Sequence, residues 1–143
     1  QILKRAGFRA PIQKNIRDEI WLKLIGNLSF NPISALTGAT LEQICYDKGT
    51  EAIVRAMMTE AKIIAEELGA KINMSIEKRI EAARKVGAHK TSMLQDIEAG
   101  KPIEIDSIIM AVKELGELTC SPTPYIDTIL NLTLQKAKLI GCL

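Results

Sequence analysis

Lys23, Asn27 and Asn31 stand four residues apart in Trp21-Leu-Lys23-Leu-Ile-Gly-Asn27-Leu-Ser-Phe-Asn31-Pro32. At 3.6 residues per turn this spacing puts an amine and two carboxamides in one row along a helix. Each carboxamide offers both a donor and an acceptor, which suits a small oxygen-rich ligand carrying hydroxyl and carbonyl groups. Asparagine is a poor helix former because its amide competes for nearby backbone groups, so a plain wet face would more cheaply use Glu, Lys or Gln. The plain alternative, that the row is the solvated side of an amphipathic helix, stays open on these residues alone.

The helix that holds the row carries Ile20, Trp21, Leu24, Ile25 and Leu28 on its other side, a stripe expected to be buried. Helical periodicity continues through almost the whole chain. Ile53, Met57, Ala61, Ile64 and Leu68 mark a long helix, expected to be capped by Thr50 and stopped at Gly69. Ile76, Ile80 and Ala83 mark another, with Ser75 as its N-cap. Ile105, Ile108, Ile109, Val112 and Leu115 form a third stripe that should end near Gly116. Pro124 suits the first turn of a last helix through Ile126, Ile129, Leu130, Leu134 and Ala137. Thr40-x-x-Gln43 and Ser92-x-x-Gln95 both fit capping boxes. Period-two alternation is absent, and with an aromatic fraction of 3% the core must be filled by Leu, Ile, Ala and Met. The expected fold is an all-α helical bundle, one domain over residues 1–143.

Composition excludes several function classes. Nineteen basic against seventeen acidic residues give a net charge of +2, too balanced to argue for nucleic acid or a membrane surface. The longest apolar run, Ile108 to Val112, is far short of the ~20 residues of a membrane span, and no signal peptide is visible. Cys45, Cys120 and Cys142 are odd in number and widely separated, which fits a reducing cytoplasm and neither a disulfide framework nor a zinc site. His89 is the lone histidine, so no second one completes a metal site. Met57, Met58, Met74, Met93 and Met110 read as core or partner surface, and Arg84, Lys85 and Lys90 as ordinary complementation of a helix end. No two glycines are separated by a single residue, so the chain has no Gly-x-Gly-x-x-Gly phosphate loop, and it has no Walker loop.

Three blocks carry a family resemblance. Trp21-x-Lys23-x-x-x-Asn27-x-x-x-Asn31-Pro32 followed by Ser34-Ala-Leu-Thr-Gly38 resembles the start of the C-terminal domain of the ketopantoate reductase (2-dehydropantoate 2-reductase) family. His89-Lys-Thr-Ser92-Met-Leu-Gln-Asp96, running on to Glu104-Ile-Asp106, is similar to the family's Ser-Met-x-x-Asp segment and its Glu-Ile-Asp. Ser121-Pro-Thr-Pro124 is similar to the turn that opens its last helix. The blocks fall in the family's order and cover nearly the whole chain. The resemblance implies a helical domain like the C-terminal domain of 6-phosphogluconate dehydrogenase. It also implies a nucleotide-binding Rossmann domain upstream of Gln1 that binds NADPH, with a homodimer as a further expectation. The opening on Gln1 rather than Met agrees with a start further upstream.

The resemblance also assigns roles. Hydride delivery to a 2-keto acid leaves negative charge on the carbonyl oxygen, and a lysine ammonium can both stabilise and protonate it. The family's lysine matches Lys23, whose burial against apolar helix surface would lower its pKa and ease proton release. Asn27 and Asn31 match substrate-orienting amides. Ser92 reads from the sequence as an N-cap; the resemblance adds that it helps hold the substrate carboxylate at a helix dipole. Glu104 reads as a solvated carboxylate near a helix start, and by resemblance as the active-site glutamate that binds substrate hydroxyl and lies near the lysine. His89 stands where some members carry Asn, and Ile109-Met110 where the family often shows Asn-Gly; both are departures. The implied activity is NADPH-dependent reduction of ketopantoate to pantoate in pantothenate and coenzyme A synthesis. The alternatives are a paralogue acting on another 2-keto acid and a helical oligomerisation module without catalysis.

Overall fold

The computed structural model describes residues 2–143; Gln1, on which the sequence opens, lies outside them. Among the described residues there are helices and no strands: α1 (Ile2–Arg5), α2 (Ile16–Thr37), α3 (Leu41–Tyr46), α4 (Lys48–Glu67), α5 (Ile76–Val86), α6 (Ser92–Glu98), α7 (Ala111–Leu118) and α8 (Pro124–Ile140). A π-helical turn, Asp106–Met110, leads directly into α7. The all-α expectation is met.

α2 is the central element and touches α3, α4, α6, α8 and the π turn. Asn15 caps it by accepting from Arg17 N at 3.2 Å, and Asp18 and Glu19 complement the dipole in its first turn. It ends at Gly38, whose φ of 74° is the left-handed cap that glycine adopts without a Cβ penalty. Every residue from Leu28 to Ala35 is buried, because neighbours close on this half of the helix from all sides. The first half is less covered. Ile20 and Leu68, both expected in the core, are 54% and 42% exposed, on the rim of an open crevice that no described element fills.

Thr40 and Gln43 form the expected capping box of α3. The expected cap of α4 is corrected. Only Asp47 separates α3 from α4, and its carboxylate takes the bond from Thr50 N at 2.8 Å. Thr50 is thus inside the helix and donates its hydroxyl to Ile44 O at 2.9 Å. The Thr50 amide holds the Asp47 carboxyl below the usual carboxylate range. α4 ends before Gly69 as expected, and buries Val54, Met57, Met58, Ala61, Ile64 and Ala65 against α2 and α8. Ser75 caps α5 as expected.

α7 ends near Gly116 as expected, running two residues past it to Leu118. A Cβ at Gly116 would lie 2.9 Å from Thr123 Cγ2 and 3.1 Å from Ile64 Cδ1, so this glycine lets the α7–α8 turn close onto α4. Pro124 opens α8 as expected, and Glu60 of α4 caps it by accepting from Tyr125 N and Ile126 N, both at 3.0 Å.

Candidate functional site

Lys23, Asn27 and Asn31 lie along one side of α2, and their burial deepens turn by turn. Lys23 is exposed, Asn27 is half-buried and Asn31 is 5% exposed. The row borders a cleft of about 490 Å³ whose other walls come from α5, the loop before α6, the start of α6 and the strap before the π turn. His89, Ser92 and Glu104 line that same cleft. The six residues singled out in the sequence, spread over α2 and two later segments, are therefore brought together. The wall carrying His89 is pinned by backbone: Leu41 N donates to His89 O at 2.9 Å and Glu42 N to Gly87 O at 3.2 Å.

The cap of α6 is corrected by one residue. Thr91, buried and extended at φ −66° and ψ 158°, accepts from Leu94 N at 3.3 Å. Gln95 donates its amide to Lys90 O at 2.8 Å and closes no capping box. Ser92 is the first helical residue, with an exposed side chain on the cleft and no intramolecular hydrogen bond for its hydroxyl among the described residues. α6 runs only from Ser92 to Glu98, too short for its dipole to be the main attraction for an anion.

Lys23 and Glu104 share the cleft, both exposed, with no direct ion pair between them. The apolar burial expected of Lys23 is not supplied by the described residues. Among the described residues neither carboxamide of the row hydrogen-bonds a protein group, although Asn31 is almost enclosed at the cleft it lines. His89 is exposed at the same cleft. Ile109, at the first position of the Asn-Gly departure, is fully buried in the core, and Met110 is half-buried.

Arg79 of α5 also lines the cleft, and sequence reasoning missed it. Its guanidinium lies over the backbone of α2 at Gly26: a Cβ there would be 2.2 Å from Nη2 and 2.7 Å from Nε. The Nε is enclosed without a hydrogen-bond partner, and no carboxylate pairs with the group among the described residues. Burial pushes its pKa below the ordinary guanidinium value, though arginine remains a cation at neutral pH. The neighbouring arginines differ in being ion-paired, although Arg84 Nε is likewise enclosed without a partner. Arg55 pairs with Glu51 and Glu77 at 2.9 and 2.6 Å, and Arg84 pairs with Glu81 at 2.7 Å. Lys85 and Lys90 also have acidic partners, Glu81 at 3.9 Å and Glu98 at 2.6 Å, so this basic cluster is neutralised. The sequence did hold one signal: Gly26 sits mid-helix between Lys23 and Asn27, where glycine costs about 1 kcal/mol relative to alanine.

Among the described residues no group of three or more His, Cys, Asp or Glu side chains could hold a metal, and Cys45, Cys120 and Cys142 are free thiols. Burial pushes the Cys45 thiol up. Among the described residues no helix is long and apolar enough to cross a membrane.

Residues 15–137 match the family model described as "Ketopantoate reductase PanE/ApbA C terminal". The chain is 54% identical over 138 residues to a 2-dehydropantoate 2-reductase of Mesorhizobium japonicum, covering 96% of this chain and 42% of that protein. Among solved structures it superimposes on a protein of Ralstonia solanacearum MolK2, provisionally described as a ketopantoate reductase, with a TM-score of 0.93 and 42% identity. That match covers 99% of this chain and 43% of the other. A dimeric ketopantoate reductase of Staphylococcus aureus aligns with a TM-score of 0.76 at 26% identity, over 91% of this chain and 46% of its own. The chain thus spans a little under half the length of these relatives.

Proposed function

Because this chain belongs to the ketopantoate reductase family, as its C-terminal helical domain, we propose that it supplies the lysine and the substrate-binding side chains of an NADPH-dependent 2-dehydropantoate 2-reductase. The observation that carries the reading is the convergence of Lys23, Asn27, Asn31, Ser92 and Glu104, from three separate parts of the fold, on one cleft. The whole protein reduces ketopantoate to pantoate, in the cytoplasm and toward pantothenate and coenzyme A. A homodimer is proposed by analogy with the Staphylococcus aureus relative.

With neither strand nor glycine-rich loop, the described residues do not fit the pyrophosphate of a dinucleotide. NADPH is held by a Rossmann domain outside this chain and supplies the hydride. Everything else in the reaction falls to residues described here. As the carbonyl carbon gains hydride, the C=O π pair moves onto oxygen, and Lys23 Nζ stabilises that charge and donates a proton to give the hydroxyl. Lys23 stands at the open end of the row, where solvent can return its proton. Asn27 and Asn31 orient the substrate from the deeper end, and Ser92 donates to its carboxylate. Glu104 accepts from the substrate hydroxyl.

A second reading, a paralogue for another 2-keto acid, is favoured by Ile109 and Met110, two bulky residues where the family often shows Asn-Gly. A non-catalytic helical module is disfavoured, since it has no use for five unpartnered polar groups in one cleft. The test compares ketopantoate with 3,3-dimethyl-2-oxobutanoate, which lacks the hydroxyl, in the full-length protein. Glu104→Gln should lower kcat/KM for ketopantoate by about 10- to 150-fold, the range of a charge-assisted hydrogen bond, and far less for the analogue. Equal losses on both substrates would show that Glu104 does not read the hydroxyl. Absence of NADPH oxidation with either would overturn the reading.

A further inference from the structure

The cleft holds one more cation than its assigned chemistry uses. Lys23 and Glu104 carry opposite charges, Arg79 adds a second positive charge, and no other carboxylate lines the walls. Two cations against one anion leave +1, which matches a ligand bearing a single carboxylate. Among the described residues no acceptor holds Arg79: its Nε is enclosed and unpartnered, and no ion pair ties the guanidinium. It reaches this place only because α2 lacks a side chain at Gly26, where a Cβ would meet Nη2 at 2.2 Å. The notch lies one residue before Asn27 and three after Lys23, and Gly26 and Arg79 line the same cleft as the row. Leaving an arginine half-enclosed without an anion is unfavourable for folding, and a ligand carboxylate relieves it.

We propose that Arg79, seated in the Gly26 notch, is the specificity-determining residue that selects 2-keto acids by their carboxylate over neutral carbonyl compounds. This rests on the reductase reading for the identity of the acid, but its chemistry requires only an anionic ligand in the cleft. The guanidinium offers the carboxylate a fork of N–H donors, leaving Lys23 free for the carbonyl oxygen. Ser92, which lines the same cleft, completes the anion site.

The experiment titrates the full-length protein with 3,3-dimethyl-2-oxobutanoate and with the corresponding neutral 2-oxo amide, by calorimetry, and follows NADPH oxidation in parallel. In the unmodified protein the acid should bind more tightly than the amide. Arg79→Met should weaken the acid by about 10- to 150-fold and leave the amide little changed. Arg79→Lys should recover only part of the loss, because a point charge does not reproduce the fork. Gly26→Ala keeps Arg79 and its charge but blocks the notch, and should show the same loss for the acid. Millimolar guanidinium should restore acid binding to Arg79→Ala. Equal weakening of acid and amide, no weakening, or an effect confined to NADPH affinity would each overturn the proposal. Arg79-dependent acid binding without turnover would sink the reductase reading and leave this one standing.

Discussion

The cleft and the face covered by α8 treat polar groups in opposite ways. Where α8 docks, the side chains of Glu60, Lys136 and Thr133 end on protein. Glu60 accepts from two amides of α8, Lys136 donates to Ala35 O and Leu36 O at the end of α2, and Thr133 Oγ1 donates to Ile129 O at 2.7 Å. On the cleft, Lys23, Asn27, Asn31, Ser92, Glu104 and Arg79 line one space without bonding one another. Both faces flank the same central helix. Hydrogen-bond capacity that folding could have used, and did use a helix away, is left open on one side only. Such capacity has a use when a ligand arrives.

The comparison breaks first at Lys23. Lys23→Met keeps the aliphatic stem and removes the charge, so the thermal unfolding of the full-length protein should hardly change. Its kcat should fall by at least ~10²-fold, the low end for general acid catalysis. Near-normal steady-state turnover would make Lys23 a solvated side chain and nothing more. The opposite outcome is expected on the α8 face. Glu60→Ala removes two charge-assisted bonds from the first turn of α8 and should cost about 1.5–3 kcal/mol in denaturant unfolding, with kcat/KM unchanged. A change in catalysis without a change in stability would erase the distinction between the two faces. The smallest effects sharpen it at neighbouring positions. Thr91→Ala should cost about 1 kcal/mol as a lost N-cap. Ser92→Ala should stay within about 0.5 kcal/mol in stability yet raise KM for the keto acid. If Ser92 carried the stability loss and Thr91 none, the cap would have been placed wrongly.

Those adjacent residues show where a sequence pattern loses its resolution. Ser92-x-x-Gln95 satisfies a capping box in spelling, and so does Thr40-x-x-Gln43, yet only the second forms one. The backbone leaves the helix one residue earlier at Thr91, because that residue is the one buried and extended where the chain enters the fold. The same holds for Asp47 and Thr50: a one-residue joint between α3 and α4 decides which side chain meets the free amides. Caps depend on where a neighbour lets the chain turn, and spacing does not contain that.

Local repetition was enough for much else. The four-residue spacing of Lys23, Asn27 and Asn31, the apolar periods of α4, α5 and α8, the proline that opens α8 and the lack of a phosphate loop all follow from short-range geometry. Each is set by rise and turn per residue and by backbone freedom, which the chain carries wherever it folds. Tertiary structure alone decided that Ile20 and Leu68 border an open crevice, that Gly116 is a notch, and that Arg79 of α5 rests on Gly26 of α2. These depend on which surface meets which across 53 residues in the last case, from 26 to 79, and no periodicity within one helix encodes the face of another.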